Sequence, residues 1–245
     1  MDLPFEQFPA LSAIGICRHA FIQRIPGIDV SHDKDEVLER LETAHCEIRN
    51  ETGFGDCPLF TAAQIHGNEI AVIDSETKGE ATQDSRGHAK NSEKVGTPEK
   101  RQTEFRACDG IITNQRSVAL GIYVADCCAV YIVDPKTPAI GLVHSGRKGT
   151  ELGVVTNAIR QVIERFGSDP ASVIVQLSPC IRPPHYEVDF AAEISRQCRA
   201  LGVHHIHDSG TCTACDLGRY YSYRAEKGKT GRMLAVLGLN PTIEN

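Results

Sequence analysis

The sequence has no long uninterrupted apolar run and no surplus of basic residues. Its longest apolar stretch, residues 118–133, is too short to cross a bilayer and is interrupted by Asp126. The net charge of −6 and the pI of about 5.9 argue against a broad basic surface that binds nucleic acid. Residues 1–14 lack the basic segment that begins a secretion signal. We therefore expect a cytoplasmic protein that binds neither membranes nor nucleic acid.

Tryptophan is absent, whereas cysteine is plentiful, with ten residues. Because no secretion signal is predicted, these cysteines are expected to be thiols or metal ligands and not a disulfide framework. The composition, 41% hydrophobic and 24% charged, is that of a soluble globular protein. A chain of 245 residues is long enough to bury a substantial core.

The order of the predicted elements indicates a mixed α/β or α+β fold. Helical apolar spacing extends over residues 33–50, 150–166 and 189–201, and Asp189, Gly167 and Gly202 are expected at helix ends. Near-continuous apolar segments predict strands buried on both faces. These segments and the remaining predicted strands are residues 111–113, 119–124, 129–133, 139–143, 172–177 and 233–239, with 59–65 and 69–73 on either side of a turn.

Residues 76–104 differ from the rest of the chain. They are rich in Lys, Glu, Ser, Thr and Gly and nearly free of large apolar side chains. Such a composition predicts a flexible surface loop. Because apolar strands lie on both sides of it, we expect the loop to belong to one domain spanning residues 1–245.

Three segments, residues 64–67, 125–128 and 143–146, place metal-ligand residue types at strand ends or in tight turns. His66, Cys127 and His144 form a donor set that suits zinc and leaves a fourth position for water or substrate. Each residue also has an ordinary interpretation, as a polar loop histidine or a buried cysteine, and Cys128 offers the same thiol. Asp126 either caps backbone at a strand break or lies in a site, where it would position a ligand or carry a proton.

Residues 144–150 consist of a strand end, a glycine turn with Arg147 and Lys148, and the start of a helix. Free backbone N–H groups and the helix dipole favour an anion there, although solvated basic residues in a plain turn explain the pattern equally well. Gly141 and Gly146 have the spacing of a P-loop. Arg147 stands where that motif needs lysine, so nucleotide hydrolysis of that type is disfavoured.

Two segments near the C-terminus are ambiguous. Cys212 and Cys215 have the spacing of a zinc or redox pair, but no second ligand pair lies nearby in sequence, which favours coincidence. Residues 220–224 contain three tyrosines and Arg224. They would present aromatic faces and a guanidinium to a flat ligand, or they are half-buried strand residues.

Taken in order, these segments resemble one family, the YfiH-like or laccase-domain proteins, which are labelled polyphenol oxidoreductases and understood as purine nucleoside phosphorylases. The resemblance extends from about residue 16 to the end of the sequence. Its motifs are QIHG at 64–67, DGIITNQ at 109–115, VALG at 118–121, ADC at 125–127, VHSGRKGT at 143–150, SPCI at 178–181, YEV at 186–188, CT at 212–213, YSYR at 221–224 and KTGRM at 229–233.

The resemblance implies a single α/β domain built as a layered β-sandwich flanked by helices. It also implies zinc, with copper as the other candidate metal, bound by His66, Cys127 and His144, with Cys128 as a neighbour. The implied activity is that of a metal-dependent glycosyltransferase. Adenosine, inosine or methylthioadenosine would react with phosphate to give the base and ribose 1-phosphate, and adenosine deamination would be a second activity. We expect a monomer or homodimer acting on small molecules.

The implied reaction assigns roles to particular residues. Zinc would act as a Lewis acid or generate a nucleophile. The predicted catalytic residues are Asp126, Cys127 and His144. The residues predicted to bind nucleoside or phosphate are Arg18, Gln64, Arg147, Arg182 and Arg224.

The chain departs from the family pattern at three places. Arg147 replaces the usual tryptophan, residues 18–21 read RHAF instead of RHGG, and residues 182–185 read RPPH instead of GPCC. The candidate metal ligands are retained, but the wall of the pocket is altered. Arg147 and Arg182 add positive charge, which suits phosphate or a more acidic substrate.

Other function classes fit the same residues. A cysteine hydrolase or amidase acting on cell-wall precursors would use Cys127 as nucleophile and His144 or His66 as base. A copper-dependent polyphenol oxidase would need several histidine-rich centres, and only three plausible ligands cluster here, so multicopper chemistry is disfavoured. A non-catalytic zinc module would bind zinc and turn over no nucleoside.

Overall fold

The computed structural model describes residues 3–74 and 102–241. The strands are β1 (Phe5–Glu6), β2 (Cys17–Ile22), β3 (Leu59–Ala62), β4 (Ile70–Ile73), β5 (Gln102–Phe105), β6 (Gly110–Thr113), β7 (Ala119–Val124), β8 (Cys128–Asp134), β9 (Ala139–Ser145), β10 (Ile174–Leu177), β11 (His205–Asp208) and β12 (Met233–Leu239). The α-helices are α1 (Pro9–Ser12), α2 (Lys34–Glu51), α3 (Arg147–Glu151), α4 (Val154–Phe166) and α5 (Phe190–Ala200), and Thr213–Cys215 form one 3-10 turn.

The strands form two six-stranded sheets, with the orders β1-β2-β12-β7-β3-β5 and β11-β10-β8-β9-β6-β4. Both sheets are mixed. For example, β12 is antiparallel to β2 and β7, whereas β3 is parallel to β5 and β7. Two mixed sheets with few helices confirm the predicted α+β class. No helix within the described residues combines the length and the apolar character needed to cross a bilayer.

The second sheet is buried on both faces, as its near-continuous apolar segments predict. Successive residues of β8 alternate between the two faces. Ala129 and Tyr131 belong to an apolar cluster shared with the first sheet, and Val130 and Ile132 belong to a cluster shared with α4 and α5. A strand covered on both sides needs apolar side chains at consecutive positions, which explains why period-2 alternation is absent there.

The helices begin and end close to their predicted positions. Asp33 caps α2 by accepting hydrogen bonds from the N–H groups of Asp35 and Glu36, and Asp189 caps α5 by accepting from Ala192. Gly167 ends α4 in the left-handed region, with φ +73. α5 ends at Ala200, one residue before the predicted end at residue 201, because Leu201 is its C-cap and Gly202 follows it.

Three predicted boundaries are wrong. The helix predicted over residues 150–166 is two helices, α3 and α4, because Gly153 takes a left-handed φ of +72 between them. The strand predicted over 59–65 ends at Ala62, before a turn with positive φ at Gln64 and His66. The C-terminal boundary predicted for the loop 76–104 is three residues too far along the chain, because residues 102–104 pair with β3 as part of β5. The rest of that loop, residues 76–101, lies outside the described residues.

Two chain crossings between the sheets determine where the functional residues meet. β3 and β7 belong to the first sheet, and each is followed by a short connection to a strand of the second sheet, β4 and β8. His66 lies in the first connection and Cys127 in the second. Cys128 pairs with Ser145 in the antiparallel register of β8 and β9, so Cys127 comes beside the end of β9, where His144 lies.

Candidate active site

His66, Cys127 and His144 meet at this end of the two sheets. Their ligand atoms all lie within 4.8 Å of one another, and the two imidazole rings are perpendicular, with centroids 4.9 Å apart. His144 is buried, Cys127 is half-buried and His66 is exposed. The structure therefore brings together the three residues predicted as metal ligands, although they are far apart in sequence.

Asp109 orients this cluster, and sequence reasoning gave it no role. It is fully buried just before β6. Its Oδ1 accepts hydrogen bonds from the N–H of His66 at 2.9 Å and lies 2.9 Å from Nδ1 of His144, while its Oδ2 accepts from the N–H of Gly67 at 2.7 Å. A carboxylate on Nδ1 holds that nitrogen protonated, so Nε2 of His144 is the nitrogen available to a metal.

The charges in the cluster stabilise one another. Burial acts to raise the pKa of Cys127, but His144 and His66 outweigh it and hold that pKa below its usual value. Burial likewise acts to lower the pKa of His144, but Cys127 and Asp109 raise it overall. Burial also opposes the charge of Asp109, yet hydrogen bonds from His144 and Gly67 keep its pKa low. The cluster thus favours a thiolate, which is the form of cysteine that binds metals and acts as a nucleophile.

Gly146 permits the close approach of Cys127 to the end of β9. A Cβ added at Gly146 would lie 2.5 Å from Sγ of Cys127, far inside van der Waals contact. Any larger side chain at this position would displace the thiol.

Asp126 holds the surrounding loops together. Its φ is +83, a conformation rarely adopted by residues with a side chain, and it is only 7% exposed. Oδ1 accepts from Oγ1 of Thr213 at 2.7 Å, and Oδ2 accepts from the N–H of Arg224 at 2.7 Å. Both carboxylate oxygens are therefore engaged, which suits a positioning role better than a proton-transfer role.

A cavity of about 680 Å³ opens over the cluster. Among the residues that the structure describes, Asp126 is the one carboxylate in its lining, whereas five side chains carry positive charge. The excess of cations favours an anionic ligand, although the whole protein is acidic. The cationic residues are Lys34, Arg147, Arg224, Lys227 and Arg232, and the aromatic residues of the lining are Tyr123, Tyr186, Phe190 and Tyr223.

Two of the predicted binding arginines lie at the rim of this cavity. Arg147 pairs with Glu151 at 2.9 Å and with Glu187 at 3.5 Å. Arg224 pairs with Glu187 at 3.2 Å, and its guanidinium lies 4.9 Å from the centroid of the Tyr186 ring. Both arginines are about half exposed, so their ion pairs are weak and easily exchanged for a ligand.

The other two predicted arginines lie outside the cavity. Arg18 is on β2, where its Nη2 donates to Sγ of Cys57 at 2.8 Å and its guanidinium stacks on Phe54. Arg182 pairs with Asp208 and donates from Nε to the carbonyl of Thr211 at 3.4 Å. Their predicted role in phosphate binding is not supported, because protein groups away from the cavity hold both guanidiniums.

Gln64, also predicted to bind substrate, lines the cavity but uses its amide structurally. Its Nε2 donates to the carbonyl of Tyr123 at 2.5 Å, and its Oε1 accepts from the N–H of Tyr123 at 3.0 Å. The amide thereby continues the pairing of the first sheet beyond the end of β3. This pairing fixes the turn that carries His66.

Arg232 is the binding candidate that sequence reasoning overlooked. Burial lowers its pKa, while the charges of Cys127 and Asp126 partly offset that effect. Its Nη1 donates to the carbonyls of Thr230 at 3.1 Å and Gly231 at 2.8 Å. Its presence in the KTGRM motif was the available signal, but that motif alone gives no indication that the residue lines the cavity.

The anion site expected at residues 144–150 stays a prediction. α3 has only five residues, and its hydroxyl groups are used internally. Oγ of Ser145 and Oγ1 of Thr150 are 2.8 Å apart, and Thr150 also donates to the carbonyl of Gly146 at 2.8 Å. Gly146 is the N-cap residue and offers no capping side chain.

The donor set fits a zinc ion. Two imidazole nitrogens and one thiolate are ligands that zinc binds well. Asp109 supplies the carboxylate that usually hydrogen-bonds the other ring nitrogen of a metal-binding histidine. Three protein ligands would leave one coordination position of a bound zinc ion for water or substrate, an arrangement typical of catalytic zinc sites.

Solved structures with the same fold exist. The chain superposes on YlmD from Geobacillus stearothermophilus with a TM-score of 0.75 at 22% identity, over 98% of this chain and 100% of that chain. A hypothetical protein YfiH from Bacillus licheniformis gives a TM-score of 0.72 at 20% identity, over 97% and 99%. These similarities support the fold.

Sequence comparison gives relatives with named activities. Purine nucleoside phosphorylase YlmD of Bacillus subtilis (strain 168) is 25% identical over 257 residues, covering 92% of this chain and 85% of that protein. A purine nucleoside phosphorylase of Deinococcus radiodurans is 32% identical over 158 residues, covering 54% and 61%. The model of the family described as "Multi-copper polyphenol oxidoreductase laccase" matches residues 15–195 and 188–240. The chain therefore belongs to the multi-copper polyphenol oxidoreductase laccase family, as the resemblance of its motifs predicts.

Proposed function

We propose that this chain is a zinc-dependent purine nucleoside phosphorylase acting on adenosine, inosine or methylthioadenosine. The observation that carries the proposal is the cavity, where three candidate zinc ligands lie beside cationic side chains and aromatic rings. Relatives named purine nucleoside phosphorylase support this reaction class. Phosphate replaces the base at C1′ of the ribose. The C1′–N bond breaks, its electron pair goes to the base, and the base gains a proton.

Arg232 is the proposed principal ligand of phosphate. Its Nη1 is fixed by two backbone carbonyls, and Nε and Nη2 have no hydrogen-bond partner among the described residues. A planar guanidinium held in this way presents N–H groups to an oxyanion with little loss of side-chain entropy. Arg224 and Arg147 at the rim add positive charge once their ion pairs with Glu187 are exchanged for phosphate.

The aromatic rings of the cavity would hold the purine base. Tyr186 and Tyr223 line it together with Phe190, and Tyr186 is already stacked under Arg224. A flat base gains dispersion and quadrupolar attraction from such rings without needing a particular pattern of hydrogen bonds. This accommodates several purine nucleosides in one pocket.

His66, Cys127 and His144 would hold the zinc ion. When bound there, zinc supplies a Lewis acid with an open coordination position. Asp109 keeps Nδ1 of His144 protonated and turns Nε2 toward the site. Asp126 fixes the backbone of Arg224 and so positions the phosphate-binding rim.

The proposal has further parts that rest on sequence reasoning. The same pocket would deaminate adenosine as a secondary reaction. The enzyme would act in the cytoplasm as one domain, as a monomer or homodimer, with zinc as its metal and copper as the other candidate.

The zinc-dependent phosphorylase is tested with His66→Ala in the full chain. His66 is exposed, so the variant should fold, and we expect it to lose zinc and most of its phosphorolysis of inosine. His205→Ala, which removes an exposed histidine from β11, is the matched control and should retain both. A folded His66→Ala protein with full zinc content and full phosphorolysis would overturn the proposal.

A cysteine hydrolase is the second candidate function. The observation that favours it is the chain of contacts from Cys127 to His144 to Asp109, which has the order of a nucleophile, base and orienting carboxylate. In metal-free protein this enzyme would remain active toward an amide or ester and lose that activity when Cys127 is alkylated. The phosphorylase requires the opposite, since activity should depend on added zinc.

A further inference from the structure

A second cluster of metal-ligand residue types lies outside the cavity. Nδ1 of His185 is 3.8 Å from Sγ of Cys212 and 3.6 Å from Sγ of Cys215, and the three ligand atoms all lie within 4.8 Å of one another. His185 and Cys215 are exposed and Cys212 is half-buried. Both cysteines are free thiols. The sequence offers no partner next to Cys212 and Cys215, but the fold provides one in His185.

The separations match those of ligands around one tetrahedral zinc ion. With Zn–S and Zn–N distances of about 2.3 and 2.05 Å, sulfur and nitrogen ligands lie about 3.6 Å apart. The two nitrogen–sulfur distances of 3.6 and 3.8 Å therefore need almost no adjustment. Two cysteines spaced C-x-x-C on a tight turn are also a common half of a structural zinc site.

The two segments that carry these ligands are already fixed to each other. Cys180 and Cys212 form a parallel bridge, with the N–H of Cys180 donating to the carbonyl of Thr211 at 3.2 Å and the N–H of Thr213 donating to the carbonyl of Cys180 at 3.2 Å. Arg182 adds its ion pair with Asp208. Because the backbone holds the ligands in place before binding, little ordering entropy opposes the metal.

We propose that His185, Cys212 and Cys215 bind a second zinc ion, separate from the cavity. Binding would release the protons of the two thiols, and one zinc ion with two thiolates and a neutral imidazole carries no net charge. The fourth position would hold water. The ion would tie the turn at residues 212–215 to the segment that leads into Tyr186, and so would stiffen one wall of the cavity.

This second site is independent of the proposed phosphorylase, and metal counting separates the two. The full chain is reduced, loaded with a slight excess of zinc, desalted and analysed for zinc per chain by mass spectrometry of the metal. We expect two zinc ions for the wild type, one for Cys212→Ser/Cys215→Ser, one for His66→Ala and none for the three changes combined. Cys46→Ser, at another half-buried cysteine, is the matched control and should bind two.

Cobalt substitution identifies the ligands. The first cluster has one cysteine and the second has two, so replacing Cys212 and Cys215 should remove about two-thirds of the cobalt–thiolate absorption. If the double variant does not fold, His185→Ala and Cys215→Ser each change one exposed residue and should each weaken the second ion. A zinc count that is unchanged by Cys212→Ser/Cys215→Ser, His185→Ala and Cys215→Ser, or a Cys212–Cys215 disulfide that persists under reduction, would overturn the proposal.

Discussion

Replacing Asp109 with asparagine should separate metal binding from general stability. The carboxylate is fully buried and engages two backbone N–H groups, at 2.9 and 2.7 Å, and Nδ1 of His144 at 2.9 Å. In Asp109→Asn the amide keeps one oxygen for His66 and His144, but its NH2 group then faces the N–H of Gly67. One charge-assisted hydrogen bond is lost, and the hydrogen bond that orients His144 becomes weaker.

The size of both effects follows from these contacts. Loss of one hydrogen bond to a charged group should lower the free energy of unfolding of the metal-free protein by about 1.5–3 kcal/mol. For a domain of this size that is a fall in Tm of roughly 3–12 °C. Loss of the group that hydrogen-bonds a metal-binding histidine typically weakens metal affinity about 10–100-fold. We therefore expect the zinc Kd to rise by that factor, which corresponds to about 1.4–2.7 kcal/mol of binding free energy.

The assay combines competition with a zinc chelator and thermal unfolding of the metal-free protein. Asp134→Asn is the control, because Asp134 is equally buried but lies at the far end of β8, where it accepts from Ser172 at 2.8 Å. The control should lose stability without losing zinc affinity. Zinc binding by Asp109→Asn as tight as that of the wild type would refute the proposed role of Asp109.

Three further predictions follow from the same structure. Arg232→Gln should raise the KM for phosphate roughly 10–100-fold, because about 1.5–3 kcal/mol of binding free energy is lost. Arg18→Gln should leave that KM unchanged, and equal effects of the two substitutions would contradict the placement of phosphate beside Arg232. Gly146→Ala puts a Cβ 2.5 Å from Sγ of Cys127 and should abolish tight zinc binding at His66, Cys127 and His144 in a folded protein, as read by the loss of one zinc ion per chain; retained affinity there would contradict the close packing. Burial lowers the pKa of His45 to about 3, so the unfolded chain takes up a proton below pH 6.5 that the folded chain does not, and stability is lost as the pH falls. The free energy of unfolding should therefore fall by about 2 kcal/mol less between pH 7 and pH 5 in His45→Leu than in the wild type, as measured by denaturant titrations. An equal fall in both proteins would contradict the low pKa assigned to His45.

Local patterns in the sequence predicted local structure well. Asp33 and Asp189 are short acidic residues before amphipathic segments, and both form N-caps because the capping hydrogen bonds involve only the next three residues. The buried strands were predictable because the second sheet is covered on both faces. Gly153 was missed because the apolar spacing continues on both sides of the break, and one left-handed residue does not alter that pattern.

The site is formed by contacts between residues that are far apart in sequence, and the sequence therefore predicted the site less completely than the local structure. Asp109 entered the sequence analysis only as part of the DGIITNQ motif, and only the antiparallel register of β6 and β9 brings it next to His144. Arg18 was assigned to phosphate through its motif, but β2 pairs with β12 and the guanidinium stacks on Phe54 instead. Periodicity does not reveal strand register, so neither outcome could be read from the sequence.

The most direct test of the proposed phosphorylase is incubation of the zinc-loaded full chain with adenosine, with and without phosphate, followed by mass-resolved chromatography. We expect adenine and ribose 1-phosphate in equal amounts only when phosphate is present, with some inosine in both tubes if the pocket also deaminates. Unchanged adenosine in both tubes, with zinc confirmed at His66, Cys127 and His144, would contradict the proposed adenosine phosphorylase activity and favour a different substrate or the cysteine hydrolase.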